Sequence, residues 1–581
     1  MKKRIIVLTA VLLFAVLLFF LKEKGIWGDG EAPSGTPTPA VTEPKELKNV
    51  WILESSEESI TFFYEEKEQT FSTKGKLQEA LTECVGDLTV LGDKITSLVI
   101  KPDKITAKVL RVDESGMELE GYGVLPLAED FRVYRLYGGL AEEPTGKVLV
   151  GSEENTFILE DGKLCAALLT KAPELKKIRV LLGTDGYRGY YHETVAFTAD
   201  CGFTVETGEE KAHFTAGERC SLSMKDFTGK EGRRVVTPDD VDGKITVFSI
   251  KRAGGTPAYR GILEIEARED GLLLVNEVTM EEYLYAVLPS EMPSSFGVEA
   301  LKAQAICARS YAYTELLANR YAAYGAHVDD STACQVYNNT PETEEAILAV
   351  KETHGQVLFH EGEVAQCYYY STSSGHTAAA EDVWENAEAV PYLQAKESVY
   401  DTESPWYRWQ TFLSLEELSK RAEVTLKERY RVVPEQILTY DKAVGDYISK
   451  PIETVGEVKS MQVWEKGKGE IATKLLLVAE KGVFLIKNEY NIRSVLAPVN
   501  TMIYRENGEN VEGAALLPSG FVTLQKGIYK DETGYLVAGG GYGHGVGMSQ
   551  CGADAMARQG KTCEDIIEEY YPGTELGFIY D

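Results

Sequence analysis

A carboxylate bracketed by prolines, with a long one-faced helix directly behind it, constrains this chain more than any other feature. The stretch Val287-Leu288-Pro289-Ser290-Glu291-Met292-Pro293 leads into a segment running from about Gly297 to Tyr321. Within it Val298, Leu301, Ala305, Ala308, Ala312 and Leu316 recur at steps of three and four, which predicts a helix with one apolar face. A proline drives the residue before it out of the helical region. Glu291 is therefore expected on a rigid, proline-bounded loop at the helix entrance, from which its side chain can be aimed into a cleft. Lys302 and Arg309 lie seven residues apart and so share one face of that helix. Such a pair suits an acidic ligand, with Arg able to grip a carboxylate through two parallel bonds. An ordinary solvated face or a structural ion pair uses the same residues.

The chain is 581 residues long, more than one ordinary domain, and 44% of it is hydrophobic, as in globular proteins. Its formal charge of −31 argues against nonspecific nucleic-acid binding, which needs clustered Lys and Arg. At the N-terminus Lys2-Lys3-Arg4 precede an apolar run from Ile5 to Leu21. That run is just long enough as a helix to cross a hydrocarbon core of roughly 30 Å, with the cations left on the cytoplasmic side. The expectation is a single-pass cell-membrane protein with its bulk outside the cytoplasm; a secretory signal is the rival reading, although no A-x-A-like cleavage site closes the run. Repeated Pro and Gly over residues 28–44 read as an extended spacer.

Short β-type runs follow at Ser59–Tyr64, Lys94–Ile100, Lys104–Val112 and Met117–Gly121. Phe157-Ile158-Leu159-Glu160 and Lys163-Leu164-Cys165-Ala166 flank Asp161-Gly162, a hairpin signature. Further strands are expected at Ile178–Leu182, Lys244–Ile250 and Gly271–Glu277, and a second helix from Ser549 to Gln559. The fold class read from this is α+β and multi-domain. Residues 1–27 form a cytoplasmic stub and transmembrane helix, 28–48 a linker, 49–174 a small mostly-β domain, and 175–577 a large mixed α/β domain.

Several chemistries are excluded by pattern. The nine cysteines include no C-x-x-C, and free buried thiols are expected. Ser371, Ser373 and Ser549 carry no G-x-S-x-G elbow. The glycines of Gly541-Tyr542-Gly543-His544-Gly545-Val546-Gly547-Met548-Ser549-Gln550 fit neither a P-loop nor a dinucleotide fingerprint. They suit close backbone approach and positive φ, with His544 held at a cleft.

The Glu291 segment and the Gly541–Gln550 loop together resemble the SpoIID/LytB family, named for stage II sporulation protein D and the amidase enhancer. The resemblance runs from near Lys177 to Leu576 and includes Gly186-Tyr187-Arg188-Gly189-Tyr190, Cys334-Gln335-Val336-Tyr337, Tyr368-Tyr369-Tyr370-Ser371-Thr372-Ser373 and Ser404-Pro405-Trp406. It implies a lytic transglycosylase that cuts peptidoglycan glycan strands, with Glu291 as the single acid and base and 1,6-anhydromuramic ends as product. It also implies Lys302, Arg309, Gln335, Tyr337, Ser371, Ser373 and His544 as substrate-binding residues, and a partner amidase or endopeptidase. A non-catalytic amidase enhancer is the alternative that the resemblance leaves open. Some relatives hold a structural zinc through one His and two Cys. Here Cys334 aligns, His327 is only close and the second Cys is missing, so no cofactor is expected.

Overall fold

The computed structural model describes residues 43–580, apart from 78, 154, 174–175, 228–231 and 385–387. They divide into two compact units, one formed by the described residues up to Phe63 with Glu68–Ile100, the other by Tyr64–Lys67 with Lys101–Asp581. The first is built on a closed barrel of β1 (Lys45–Ser55), β2 (Ser59–Tyr64), β3 (Lys67–Thr73), β4 (Thr82–Leu91) and β5 (Lys94–Ile100), in the order β1-β2-β3-β5-β4. Alternation along β4 sends Gly86, Leu88 and Val90 inward, with Val50, Ile52, Ile60 and Phe62 buried as well. Closure leaves no free sheet edge. The bounds of β2 and β5 are those read from the sequence.

The second unit carries the Asp161-Gly162 hairpin as expected: Glu160 pairs with Lys163, and the two turn residues take φ of 51° and 74°. A seven-stranded sheet follows, made of β6 (Lys177–Leu181), β7 (Phe203–Thr207), β8 (Glu210–Phe214), β9 (Arg233–Pro238), β10 (Ile262–Arg268), β11 (Gly271–Thr279) and β12 (Val328–Asp329). Its order is β8-β7-β9-β10-β11-β6-β12. At the end of β11 the chain turns directly into helix α1 (Met280–Glu291), capped by the Thr279 hydroxyl, which accepts from Glu282 N. Helix α2 (Val298–Ala318) packs beside it. One continuous apolar core joins this sheet and both helices to α3 (Glu344–Glu352) and, from the far end of the chain, α5 (Gln550–Arg558) and α6 (Cys563–Tyr570). Between them, residues 409–539 make two five-stranded sheets and helix α4 (Leu415–Val432) around a separate core of Leu418, Ile437, Leu475, Phe484 and Val537.

The expected α+β chain led by a membrane-crossing helix is corrected here. Strand accounts for 41% of the chain and helix for 20%. Among the described residues no helix is long and apolar enough to cross a membrane. The reason lies in the longest of them: α2 has 21 residues, but Glu299, Lys302, Arg309 and Glu315 interrupt its apolar run. The apolar run Ile5–Leu21 lies outside the described residues. Beyond Val364 strand pairs mostly with strand, as in Val458–Lys466 against Ala472–Ala479.

Candidate active site

Glu291 is the last residue of α1, so the helix runs two residues further than a proline-bounded loop would suggest. Pro289 sits in the final turn, where it removes one backbone donor, and the turn is reinforced by Ser290 Oγ donating to the Ala286 carbonyl at 2.7 Å. The chain then breaks at Met292, extended at ψ 132° ahead of Pro293. The Ser290 hydroxyl also accepts from Asn339 N at 3.0 Å and Thr340 N at 3.1 Å. It thereby pins the 336–340 segment across the end of α1, where Val336 N donates to Glu291 Oε1 at 2.5 Å.

That carboxylate is pushed up to about 7 by burial, with the Val336 amide pulling the other way. Among the described residues no second carboxylate contributes to the shift. Around it stand neutral polar groups. Gln550, at the start of α5, donates from Nε2 to the Glu291 backbone carbonyl at 3.1 Å and to Gln304 Oε1 at 3.4 Å. Gln304 itself is fully buried on α2, and its Nε2 has no partner among the described residues. Gln335 Nε2 donates to the Tyr369 hydroxyl at 2.9 Å, and the Glu291 charge acts on that same phenol.

Tyr369 and Tyr370 pair in parallel with Met548 and Ser549, which brings the glycine-rich loop to the same site. The loop needs its glycines: Gly541, Gly543, Gly545 and Gly547 have φ of 81°, 115°, 85° and 77°. A Cβ at Gly547 would run into the Tyr368 carbonyl, and one at Gly545 would stand 2.6 Å from the Phe521 ring. His544 is held against the rings of Trp384 at 5.3 Å and Tyr370 at 5.7 Å. Burial, helped by the Arg493 cation, pushes its imidazole down to about 4, so it is neutral at neutral pH. Val546 N donates to Nδ1 at 3.0 Å, which places the ring proton on Nε2.

A family model described as stage II sporulation protein, SpoIID, matches residues 268–360. Stage II sporulation protein D of Bacillus subtilis is 30% identical over 316 residues, covering 52% of this chain and 75% of the relative. The chain belongs to the SpoIID family. The stage II sporulation protein D of Bacillus amyloliquefaciens is 28% identical over 316 residues, again across 75% of its length. The amidase enhancer of Bacillus subtilis is 32% identical over 307 residues, 50% of this chain; the match spans 40% of that relative's length. The stretch matched by the SpoIID model holds Glu291, Lys302, Arg309, Gln335 and Tyr337.

These SpoIID-family positions do not all converge. Gln335 is 1% exposed and fully engaged, accepting from the Tyr283 hydroxyl at 3.1 Å and donating to the Ala308 carbonyl at 3.3 Å as well as to Tyr369. Tyr337, also 1% exposed, donates to Asn276 Oδ1 at 2.7 Å inside the core. Arg309 has no solvent exposure. It grips Glu281 through Nε at 2.8 Å and Nη2 at 2.7 Å, and donates from Nη1 to the Gln356 carbonyl at 2.9 Å. Lys302 bonds Glu299 at 3.1 Å and lies 3.8 Å from Glu352. Both cations thus sit in ion pairs within the fold.

Ser373 is buried: its Oγ donates to the His376 carbonyl at 3.1 Å, and its N donates to Asp401 Oδ1 at 2.8 Å. Ser371 stays half-buried, with its hydroxyl 3.3 Å from that of Thr372. Asp401 also receives the Ser549 hydroxyl that caps α5, so it orients the helix bearing Gln550. His327 uses both ring nitrogens inside the fold, Nδ1 accepting from Arg179 N at 3.0 Å and Nε2 bonding the Val150 carbonyl at 2.8 Å. Cys334 Sγ lies 3.8 Å from the Tyr321 hydroxyl. Among the described residues no group of three or more His, Cys, Asp or Glu is placed to hold a metal ion.

The sequence pointed to Glu291 and His544 but passed over Ser290, Gln304, Tyr369, Asp401 and Gln550. The neighbours Ser290 and Gln550 lay inside the two quoted motifs. Gln304 and Asp401 gave no signal, because the partners that tie them to the site, Gln550 and Ser549, lie 246 and 148 residues away in sequence.

Proposed function

We propose that the chain is a peptidoglycan lytic transglycosylase that cleaves the glycan backbone at muramic acid, with Glu291 as its one acid and base. The observation that carries this reading is the burial of that carboxylate, which raises it to about 7, with the Val336 amide bonded to it and no carboxylate among the described residues in contact with it. Retaining and inverting glycosidases need a carboxyl pair. A transglycosylase needs one group that is protonated at rest and ionised in mid-reaction. The protonated Glu291 gives its proton to the glycosidic oxygen as the C1–O bond of muramic acid breaks. The 6-hydroxyl oxygen of the same sugar then bonds to C1, and the Glu291 carboxylate takes the hydroxyl proton. The acid is restored, no water is consumed, and a 1,6-anhydro end remains.

The Ser371 hydroxyl is the group we assign to sugar contact, beside the neutral His544 ring, whose proton goes to the Tyr369 carbonyl. We take strands already stripped of stem peptides as the substrate, as the family resemblance implies, which makes an amidase the natural partner outside the cytoplasm, in sporulation or wall remodelling. No cofactor enters the reaction. A second reading, a non-catalytic enhancer of an amidase, is favoured by the relative of that name at 32% identity. Mass spectrometry of purified glycan strands, with and without stem peptides, separates the two. Anhydromuramic ends made by the wild type and lost in Glu291→Ala are expected. No new ends from the wild type, together with a faster partner amidase, would leave only the enhancer.

A further inference from the structure

After β6 the chain turns back on itself between Gly183 and Gly189: Thr184 N donates to the Gly189 carbonyl at 2.8 Å and Tyr187 N to the Thr184 carbonyl at 3.0 Å. Tyr187 sits at φ 56°, left-handed backbone that a bulky residue rarely adopts. Its ring is clamped over the Arg252 guanidinium, 4.3 Å from the ring centre. Arg252 is in turn fixed by Asp330 and by the Gly183 carbonyl at 2.7 Å. At the end of this rigid arrangement the Tyr187 hydroxyl is buried without a hydrogen-bond partner among the described residues. Glycine would relieve the backbone and phenylalanine would remove the orphaned hydroxyl, so the fold carries two avoidable costs at one residue.

Three carboxylates act on that hydroxyl: Asp330, Asp329 and Glu291. Two are occupied. Asp330 bonds Arg252 and, at 3.0 Å, Gly183 N; Asp329 bonds the Tyr190 hydroxyl at 2.8 Å and the Ser331 hydroxyl at 3.0 Å. Glu291 differs: among the described residues only Val336 N bonds its carboxylate, through Oε1. Tyr337 N donates to the Asp330 carbonyl at 3.2 Å and its neighbour Val336 N to Glu291, so one short segment links the Arg252–Tyr187 clamp to the catalytic carboxylate. Among the described residues the Tyr187 hydroxyl and Glu291 Oε2 have no bonded partner, and a sugar that meets both does so through two different oxygens.

We propose that Tyr187 is a second catalytic residue, whose hydroxyl donates to a sugar oxygen beside the scissile bond and holds that sugar with its glycosidic oxygen at Glu291. The proposal rests on the glycan reading of Glu291 given above. Removing one preorganised donor of this kind slows a reaction about 10- to 100-fold while leaving the fold intact.

The test compares the full-length wild type, Tyr187→Phe and Glu291→Gln on stem-peptide-free glycan strands, with anhydromuramic ends counted by mass spectrometry and the melting temperature of each protein measured in parallel. The expected result for Tyr187→Phe is kcat lower by about 10- to 100-fold, KM changed far less, and a melting temperature equal to or above the wild type. Activity within about twofold of the wild type overturns the proposal, as does a loss of activity matched by a lower melting temperature, which would make the hydroxyl structural. If Glu291→Gln is dead while Tyr187→Phe is fully active, Tyr187 alone is refuted. If the wild type makes no ends, or Glu291→Gln still makes them, the reading of Glu291 fails and takes this proposal with it.

Discussion

Replacing Glu291 by Gln should make the protein more stable, and only above a certain pH. Glu291 is raised from an ordinary 4.5 to about 7 by burial. Below pH 4.5 the side chain is protonated in both the folded and unfolded chain and contributes no pH dependence. Between 4.5 and 7 the unfolded chain loses that proton while the folded chain keeps it, so the wild type loses stability as pH rises. Above 7 the loss is complete. At about 1.4 kcal/mol per pH unit it amounts to about 3 kcal/mol in full. Glutamine is neutral throughout and keeps an oxygen to accept from Val336 N. Calorimetry from pH 4 to 9 should therefore show the melting temperature of Glu291→Gln drawing ahead of the wild type by a few degrees between 4.5 and 7, then holding a constant lead. A lead that does not change with pH, or one that grows toward acid, would refute the buried-acid account. The same protonation fixes the activity profile: end formation by the wild type should decline as pH rises through about 7.

Arg309→Met should cost about 3–5 kcal/mol in urea unfolding, because it leaves Glu281 buried without its partner; an unchanged midpoint with a raised KM would instead mean that Arg309 meets substrate. Gly552→Ala should weaken both the fold and the reaction, since its Cβ would collide with the Tyr570 hydroxyl and stand 2.8 Å from Asp401 Oδ2, and Tyr570→Phe in the same chain should recover part of the loss. Treatment with a chelator should leave the melting temperature and end formation unchanged, because both His327 nitrogens are already bonded within the fold; a drop in either would place a metal in the protein.

How far the sequence reached depended on how local each signal was. The Asp161-Gly162 hairpin, β2, β5 and α2 were legible because turn chemistry and periodicity act within a few residues. The glycines of the 541–547 loop were legible for the same reason: positive φ is a property of the residue itself. The Glu291 backbone was placed less well, since two prolines predict a loop, whereas Pro289 is tolerated in the last turn of α1 with Ser290 bracing it. Lys302 and Arg309 were correctly set on one helix, but spacing cannot say what faces them. Glu281 lies one helix away, and it is burial that turns Arg309 into an internal tie. Gln304 and Asp401 were invisible because their roles are made by long-range packing. Tyr187 was quoted only as part of a resemblance; what singles it out is a φ value and an orphaned hydroxyl, which no sequence pattern carries.

The excursion of residues 409–539 leaves and returns at a single point. Trp409 pairs with Gly539, its indole donates to the Gly541 carbonyl at 2.9 Å, and Gly541 N donates to the Trp406 carbonyl at 2.9 Å. With its two ends clasped and its own apolar core inside, this region also joins the main body through Ile471 and Phe521, which enter the larger core, and through Asn488 Nδ2, which donates to the Val383 carbonyl at 2.6 Å. Away from Arg493, Pro518 and Phe521, which brace the His544 loop, its surface can change while Asp401 on one side of the clasp and His544 on the other keep their places. Variation in what such a chain recognises can therefore accumulate there without passing through the chemistry at Glu291.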